Sequence, residues 1–255
     1  MQQRESSRMV KSVINGFELV GRLQALGGAT LTELAGDMNL AKSTVHNYLT
    51  TLETLGYVVN EDGTYRLGLR FLTHGIAAKR ALGLQIFVSD HLLSIGGNIP
   101  YPTWWVCEEL GRGIFLGGAV SQEDDPIYGR MGKRSYLHTH APGKAILAQL
   151  SDEHVRQIID RWGLPERTER TTTDGESLLD ELDEIRERGI AVSDSEAILG
   201  VLSVGVSFQD SMGRTHAIGT FCFAREVHLS RAEEIGELLL DEVDTIESKL
   251  YRGER

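Results

Sequence analysis

Near its start the chain repeats apolar residues at helical spacing. Val13, Phe17, Val20 and Leu23 predict a first helix carrying one apolar stripe, closed by Gly27-Gly28. Thr30 and Glu33 form an S/T-x-x-E capping box that opens a short second helix, with Leu31, Leu34 and Ala35 turned inward. Gly36 to Leu40 supplies a turn. A third helix is predicted from Lys42 to Leu55, with Val45, Leu49 and Leu52 at i, i+4 and i+7. At about 100° per residue, Ser43, Asn47 and Thr50 gather on the opposite face, and Lys42, Thr44 and His46 lie at the N-terminal end or on the flanks. Tyr57-Val58-Val59 and Tyr65-Arg66-Leu67 are β-prone runs around Asn60-Glu61-Asp62-Gly63, a hairpin loop. A helix-turn-helix followed by a hairpin is the winged form of a DNA-reading motif: an apolar seam holds the recognition helix, and short polar groups face base edges. An ordinary helical hairpin with a surface turn would need the capping box, the polar face and the wing to coincide by chance.

Further along, Leu72, Ile76, Leu82, Ile86, Leu92 and Leu93 predict a linker helix over 71–98, with Gly83 weakening it in the middle. From Ile99 the texture changes. Thr103 to Glu109 and Ile114 to Val120 form a hairpin around Gly111-Arg112-Gly113, whose glycine spacing imitates a phosphate loop but suits a β-turn better. Helices are predicted at 143–150, 152–162 and 176–188, strands around 199–208 and 215–223, and a last amphipathic helix from near Ser230 to near Tyr251. The organisation expected is a flexible arm (1–11), a winged helix-turn-helix (12–70), a linker (71–98) and a mixed strand–helix domain (99–255).

At 41% hydrophobic the chain can bury a substantial core, which argues against disorder. No apolar run approaches about 18 residues, and the N-terminus is polar without an apolar signal region, so a soluble cytoplasmic protein without a membrane partner is expected. Cys107 and Cys222 are the only cysteines, too few for a disulfide framework or a cysteine zinc site. The net charge of −11 looks wrong for a DNA-binding protein until it is divided. Residues 1–70 hold seven Lys/Arg and seven Asp/Glu, and the rest hold 19 basic and 30 acidic side chains. Lys42, Arg66 and Arg70 remain to meet phosphate, and an acidic remainder favours one orientation on DNA. Arg outnumbers Lys 20 to 6, a pattern expected of a salt-rich cytoplasm. There the Debye length falls to about 3 Å at about 1 M, so binding would lean on base-edge and shape contacts.

The segments LTELA (31–35), AKSTVHNYLTTLETLGYV (41–58) and TYRLG (64–68) resemble the DNA-binding domain of the IclR family of transcriptional regulators. LHTHAPGKAILAQL (137–150) resembles the family's Gly-Lys-Ala helix start, and residues 188–224 resemble its effector-domain signature, all in family order over roughly 13–250. The resemblance implies an α+β fold: an N-terminal winged helix-turn-helix, a linker helix contributing to dimerisation, and a C-terminal GAF-like antiparallel sheet with packed helices. It implies a regulator rather than an enzyme, without cofactor. Such a regulator binds a pseudo-palindromic double-stranded DNA operator as a homodimer or dimer of dimers and responds to a small metabolite, often controlling carbon-source catabolism.

Within that frame Ser43, Asn47 and Thr50 read bases, while Lys42, Thr44, Arg66 and Arg70 meet phosphates, with His46 beside them. Many members carry arginine where Asn47 stands, so adenine is favoured over guanine here. The implied effector pocket takes Ala141 and Pro142 at a helix entrance, Ser193 or Asp194 in a loop, and Ser203, Thr220 and Cys222 on strands. The ligand expected is a small carboxylate or sugar-derived metabolite held partly by free helix N–H groups. Pro142 lacks an N–H, and Ser193 stands where some members carry an acid.

Plainer readings stand beside these: Asp194 and Glu196 capping a loop, Ser203 and Thr220 filling β positions, Cys222 as a small buried hydrophobe. Trp104 and Trp105 alternate across a strand, so one faces the core and the other walls the pocket or an interface. His138-Thr139-His140 has no further metal ligand nearby, and Gly143-Lys144 lacks the rest of a P-loop. The competing classes are an enzyme with an appended winged domain, using Cys222 or Asp194, and a dimerising protein-interaction module.

Overall fold

The computed structural model describes residues 9–119, 128–227 and 229–252, so most of the predicted N-terminal arm lies outside the described residues. The chain divides into two compact units, Met1–Gly83 and Leu84–Arg255.

The first unit runs α1 (Lys11–Leu26), β1 (Ala29–Thr30), α2 (Leu31–Asp37), α3 (Lys42–Thr54), β2 (Val58–Glu61), β3 (Thr64–Leu67) and α4 (Arg70–Arg80). Gly27 ends α1 in the left-handed region at φ 71°. The capping box forms in full: Thr30 N donates to Glu33 Oε2 at 2.8 Å, and Glu33 N donates to Thr30 Oγ1 at 3.3 Å. The wing is tighter than the predicted four-residue loop. Its ladder runs on to Glu61↔Thr64, leaving Asp62-Gly63 as a two-residue turn with φ of 51° and 88°. An Asp-Gly pair with both φ positive matches the twist of the strands it joins. The sheet order is β1-β3-β2.

Leu19, Leu23, Ala29, Leu34, Ala35, Val45, Leu49 and Val58 form the core of this unit. On α1 the buried stripe is Leu19 and Leu23, whereas Phe17 is 68% and Val13 55% exposed. The helix is therefore apolar on two sides, and the predicted stripe is largely the outer one. A groove of about 720 Å³ lies there, lined among others by Val13, Phe17, Val20, Leu52, Tyr57 and Phe71. Over 71–98 the structure has two helices rather than one: α4, and α5 (Gln85–Asn98), which belongs to the second unit. Gly83 lies between them at φ 75°.

The second unit continues with β4 (Thr103–Glu109), β5 (Arg112–Ala119), β6 (Arg134–Tyr136), a 3-10 turn (Leu137–Thr139), α6 (Ala141–Ala148), α7 (Asp152–Trp162), α8 (Gly175–Arg188), β7 (Ala191–Asp194), β8 (Val201–Gln209), β9 (Thr215–Phe223) and α9 (Leu229–Arg252). Its six-stranded sheet has the order β6-β5-β4-β9-β8-β7, and every neighbouring pair is antiparallel. One face carries α6 and α8 over Trp104, Val106, Phe115, Ala191, Val201, Ala217 and Phe221. On the other, α5 and α9 bring buried Val88, Leu92, Ile95, Leu239 and Val243 against the sheet. Among the described residues no helix is long and apolar enough to cross a membrane.

Glycine lets α6 lie directly on the strands. A Cβ at Gly219 would come within 2.0 Å of Pro142 Cγ, and one at Gly205 within 2.5 Å of Pro142 N. Gly219→Ala should therefore lift the start of α6 from the sheet and destabilise the second unit by about 1–3 kcal/mol, read as a lower denaturant midpoint.

Candidate DNA-binding and effector sites

In α3 the seam and the outer face separate cleanly. Val45 and Leu49 are fully buried, Lys42, Ser43, His46, Asn47 and Thr50 are exposed, and Thr44 is half-buried. The Asn47 carbonyl accepts from Thr51 Oγ1 at 2.7 Å, which leaves its side-chain amide outward. Arg66 projects from the wing and pairs with Glu61, whose carboxyl it holds below its usual range. Arg70 has a different surrounding. Its guanidinium donates to the Leu55 carbonyl at the end of α3 and lies 5.0 Å from the Tyr57 ring centre, so it caps the recognition helix from behind.

The helix-entrance residues of the second unit do meet. Ala141 N donates to Ser203 Oγ at 3.0 Å, and Ser203 pairs across the strands with both Ser193 and Phe221. Ala141, Pro142, Ser193 and Ser203 thus share the α6 side of the sheet, all buried. The helix offers no free donor there. Ala141 N is taken by Ser203, Pro142 has no N–H, and Gly143 N donates to His140 Nδ1 at 3.1 Å. The expected anion site at this helix start is consequently filled by the protein's own acceptors.

Two other expected residues face away. Strand alternation sends Thr220 and Cys222 to the α5–α9 side, opposite Phe221 and Gly219. Thr220 Oγ1 lies 2.8 Å from Thr103 Oγ1, and Cys222 Sγ donates to the Leu202 carbonyl at 3.6 Å. Burial pushes the Cys222 thiol up to about 12, which makes it an inert hydrophobe rather than a nucleophile. Asp194 is exposed at the sheet edge, accepting from Ser195 Oγ at 2.8 Å and pairing with Arg170 at 3.3 Å.

What the sequence did not single out is the polar and aromatic interior around α6. His140 caps the helix with Nδ1, while its Nε2 donates to Ser135 Oγ at 2.7 Å. Burial lowers its pKa to about 3, so it stays neutral. Lys144 is 0% exposed, with Nζ 2.6 Å from carboxylate oxygens of both Glu181 and Glu196. Gly143 is required beside it, because a Cβ there would sit 2.1 Å from the Leu137 carbonyl oxygen. Trp104 faces this interior and Trp105 the opposite side, where its Nε1 donates to His216 Nδ1 at 3.2 Å. The 3-10 turn gives the two nearby histidines separate partners, His138 Nε2 meeting the Pro165 carbonyl at 3.2 Å. Among the described residues no group of three or more His, Cys, Asp or Glu is placed to hold a metal ion.

Known proteins match this arrangement along nearly the whole chain. The profile of the IclR helix-turn-helix domain matches residues 12–62, and that of the bacterial transcriptional regulator IclR C-terminal domain matches residues 112–248. The chain belongs to the IclR family. It is 30% identical over 254 residues to the probable HTH-type transcriptional regulator ArcR of Halobacterium salinarum, covering 95% of each chain. The crystal structure of the Thermotoga maritima IclR superposes with a TM-score of 0.76 at 25% identity, over 94% of this chain and 98% of that one. An IclR homolog from Microbacterium hydrocarbonoxydans, crystallised with 4-hydroxybenzoate, has the same fold (TM-score 0.78, 20% identity, 94% and 98% covered). As an IclR member the chain is a transcriptional regulator, with its helix-turn-helix as the DNA-binding part, and not an enzyme.

Two outcomes follow from the interior. Lys144→Met would leave Glu181 and Glu196 facing each other without their shared cation, and denaturant titration should show a loss of about 3–5 kcal/mol. Burial also holds His138 and His216 down to about 4. In the unfolded chain these imidazoles and His140 take up protons near pH 6.5, whereas folded they stay neutral to about 4 or 3. Stability present above about pH 6.5 should therefore fall as pH drops toward 4, and His140→Asn should flatten that fall in a pH series of melting curves.

Proposed function

We propose that this IclR regulator acts in the cytoplasm as a ligand-responsive transcription factor, a homodimer or dimer of dimers on a pseudo-palindromic operator. The observation that carries DNA reading is the division of α3: Val45 and Leu49 buried, with Ser43, Asn47 and Thr50 outward and available. Two such helices would enter major grooves about 34–36 Å apart, or a multiple of that. Lys42, Thr44 and Arg66 would position the protein on phosphates, with His46 flanking them, while Arg70 would act by holding the end of α3. Self-association is supported by apolar surface on the first unit, where Phe17 is 68%, Leu72 57% and Ile76 46% exposed.

Effector sensing is supported by the family resemblance of the second unit and by the 4-hydroxybenzoate bound to the Microbacterium homolog. A small carboxylate or sugar-derived metabolite from carbon-source catabolism is the class favoured, with control of catabolic genes as the output. Genome-wide DNA occupancy tests the reading. One recurring palindrome beside catabolic genes supports it, and the absence of any enriched motif across growth conditions would overturn it. At a single base position Asn47→Ala should relax the preference for adenine and cost about 1–3 kcal/mol in binding assays. Uniform weakening on every sequence would contradict a base-reading role.

A further inference from the structure

Two donors in the second unit lack the partner that burial demands. Trp104 is 6% exposed, and among the described buried side chains its indole Nε1 has no hydrogen-bond partner. A buried donor left unmade costs about 1–3 kcal/mol. Lys133 is half-buried and forms no ion pair with any described carboxylate. Its Nζ donates to the Tyr128 carbonyl at 2.8 Å and lies 2.9 Å from the centre of the Tyr128 ring. The charges acting on it, Arg130 and Arg167, are themselves cations, and with burial they lower its pKa to about 7.

Around these donors the sheet gathers aromatic rings. Tyr128 stacks on Phe221 at 5.0 Å and lies 5.5 Å from His140 and 5.9 Å from Phe115, and Trp104 meets the edge of Phe115 at 5.9 Å. Tyr128 is thus the central ring of the cluster, with an ammonium group over its face. All the other walls belong to secondary structure: Trp104 to β4, Phe115 to β5, Phe221 to β9, and His140 to the cap of α6.

We propose that this cluster is the effector seat, and that the effector is an aromatic carboxylate whose ring takes the place of Tyr128 while its carboxylate pairs with Lys133. The proposal rests on the ligand-responsive reading above and names the ligand class and its anchor. Trp104 Nε1 supplies a donor for a ring substituent, and Arg130 and Arg167 add positive field at the same end. The start of α6 cannot serve as the anchor, because its donors are already engaged. An aromatic acid satisfies what the seat lacks, a counter-charge for Lys133, and replaces one stacked ring with another at little loss of packing.

The test uses the full chain with benzoate, its neutral analogue benzamide, and pyruvate as an aliphatic acid, followed by calorimetric titration and thermal shift. Benzoate should bind, and Lys133→Met should weaken it at least tenfold while changing benzamide less than twofold. Tyr128→Ala, which empties the seat, should tighten both aromatic probes, as a cavity lined by apolar groups accepts an aromatic guest. Equal benzoate affinity in the wild type and Lys133→Met overturns the assignment, and so does failure of benzoate to bind either the wild type or Tyr128→Ala. Lys133→Met carries the test alone if the alanine variant does not fold. Binding of pyruvate alone, indifferent to Lys133, overturns the aromatic seat but leaves effector sensing intact. Benzoate that binds through Lys133 without altering operator affinity upholds the seat and removes its regulatory role.

Discussion

The first turn of α6 rests on bare backbone at Gly205 and Gly219, and the interior of the second unit is organised by that contact. With no side chains between helix and sheet, the helix start is shut away from water, so each of its polar groups must find a partner within the protein. Ser203 reaches up from the strand to one N–H, His140 folds back onto another, and proline removes the third. The same close approach buries Lys144 completely one turn on, where only two carboxylates at once keep the ammonium tolerable. A motif that reads as a nucleotide loop is here a packing device.

The two units solve different problems. The first is small, its core is a handful of aliphatic side chains from three helices and a wing, and its third helix keeps its polar face uncommitted. The second encloses neutral histidines, a buried lysine and a ring cluster, so its polar groups are specified by one another rather than by solvent. Recognition of a long polymer suits an exposed face, and selection of a small molecule suits an interior.

Legibility in the sequence followed the same division. Elements of the first unit could be read because each rests on local chemistry: the Thr30–Glu33 box, the Val45–Leu49 seam and the Asp62-Gly63 turn lie within a few residues of one another. The α1 stripe was assigned to the wrong side because that helix is apolar all round one half and only tertiary contact chooses Leu19 over Phe17. In the second unit, β9 reads THAIGTFCF, a strand covered on both faces, with no alternation to tell Thr220 and Cys222 from Phe221. A one-residue error in such a strand reverses every side chain, and that is how two expected pocket residues came to lie across the sheet from Ser203. The partners of Lys144 are 37 and 52 positions away, beyond any spacing rule.

That lysine also sets how the molecule meets its solvent. Dissolved ions weaken attractions only where they can penetrate, and none reach a group with no exposed surface. The Arg66–Glu61 pair on the wing, open to water, fades as salt rises and releases Arg66 just when phosphate contacts fade as well. Ionic strength therefore tunes grip on the double helix while the sensor's internal charges go unheard by the surrounding electrolyte.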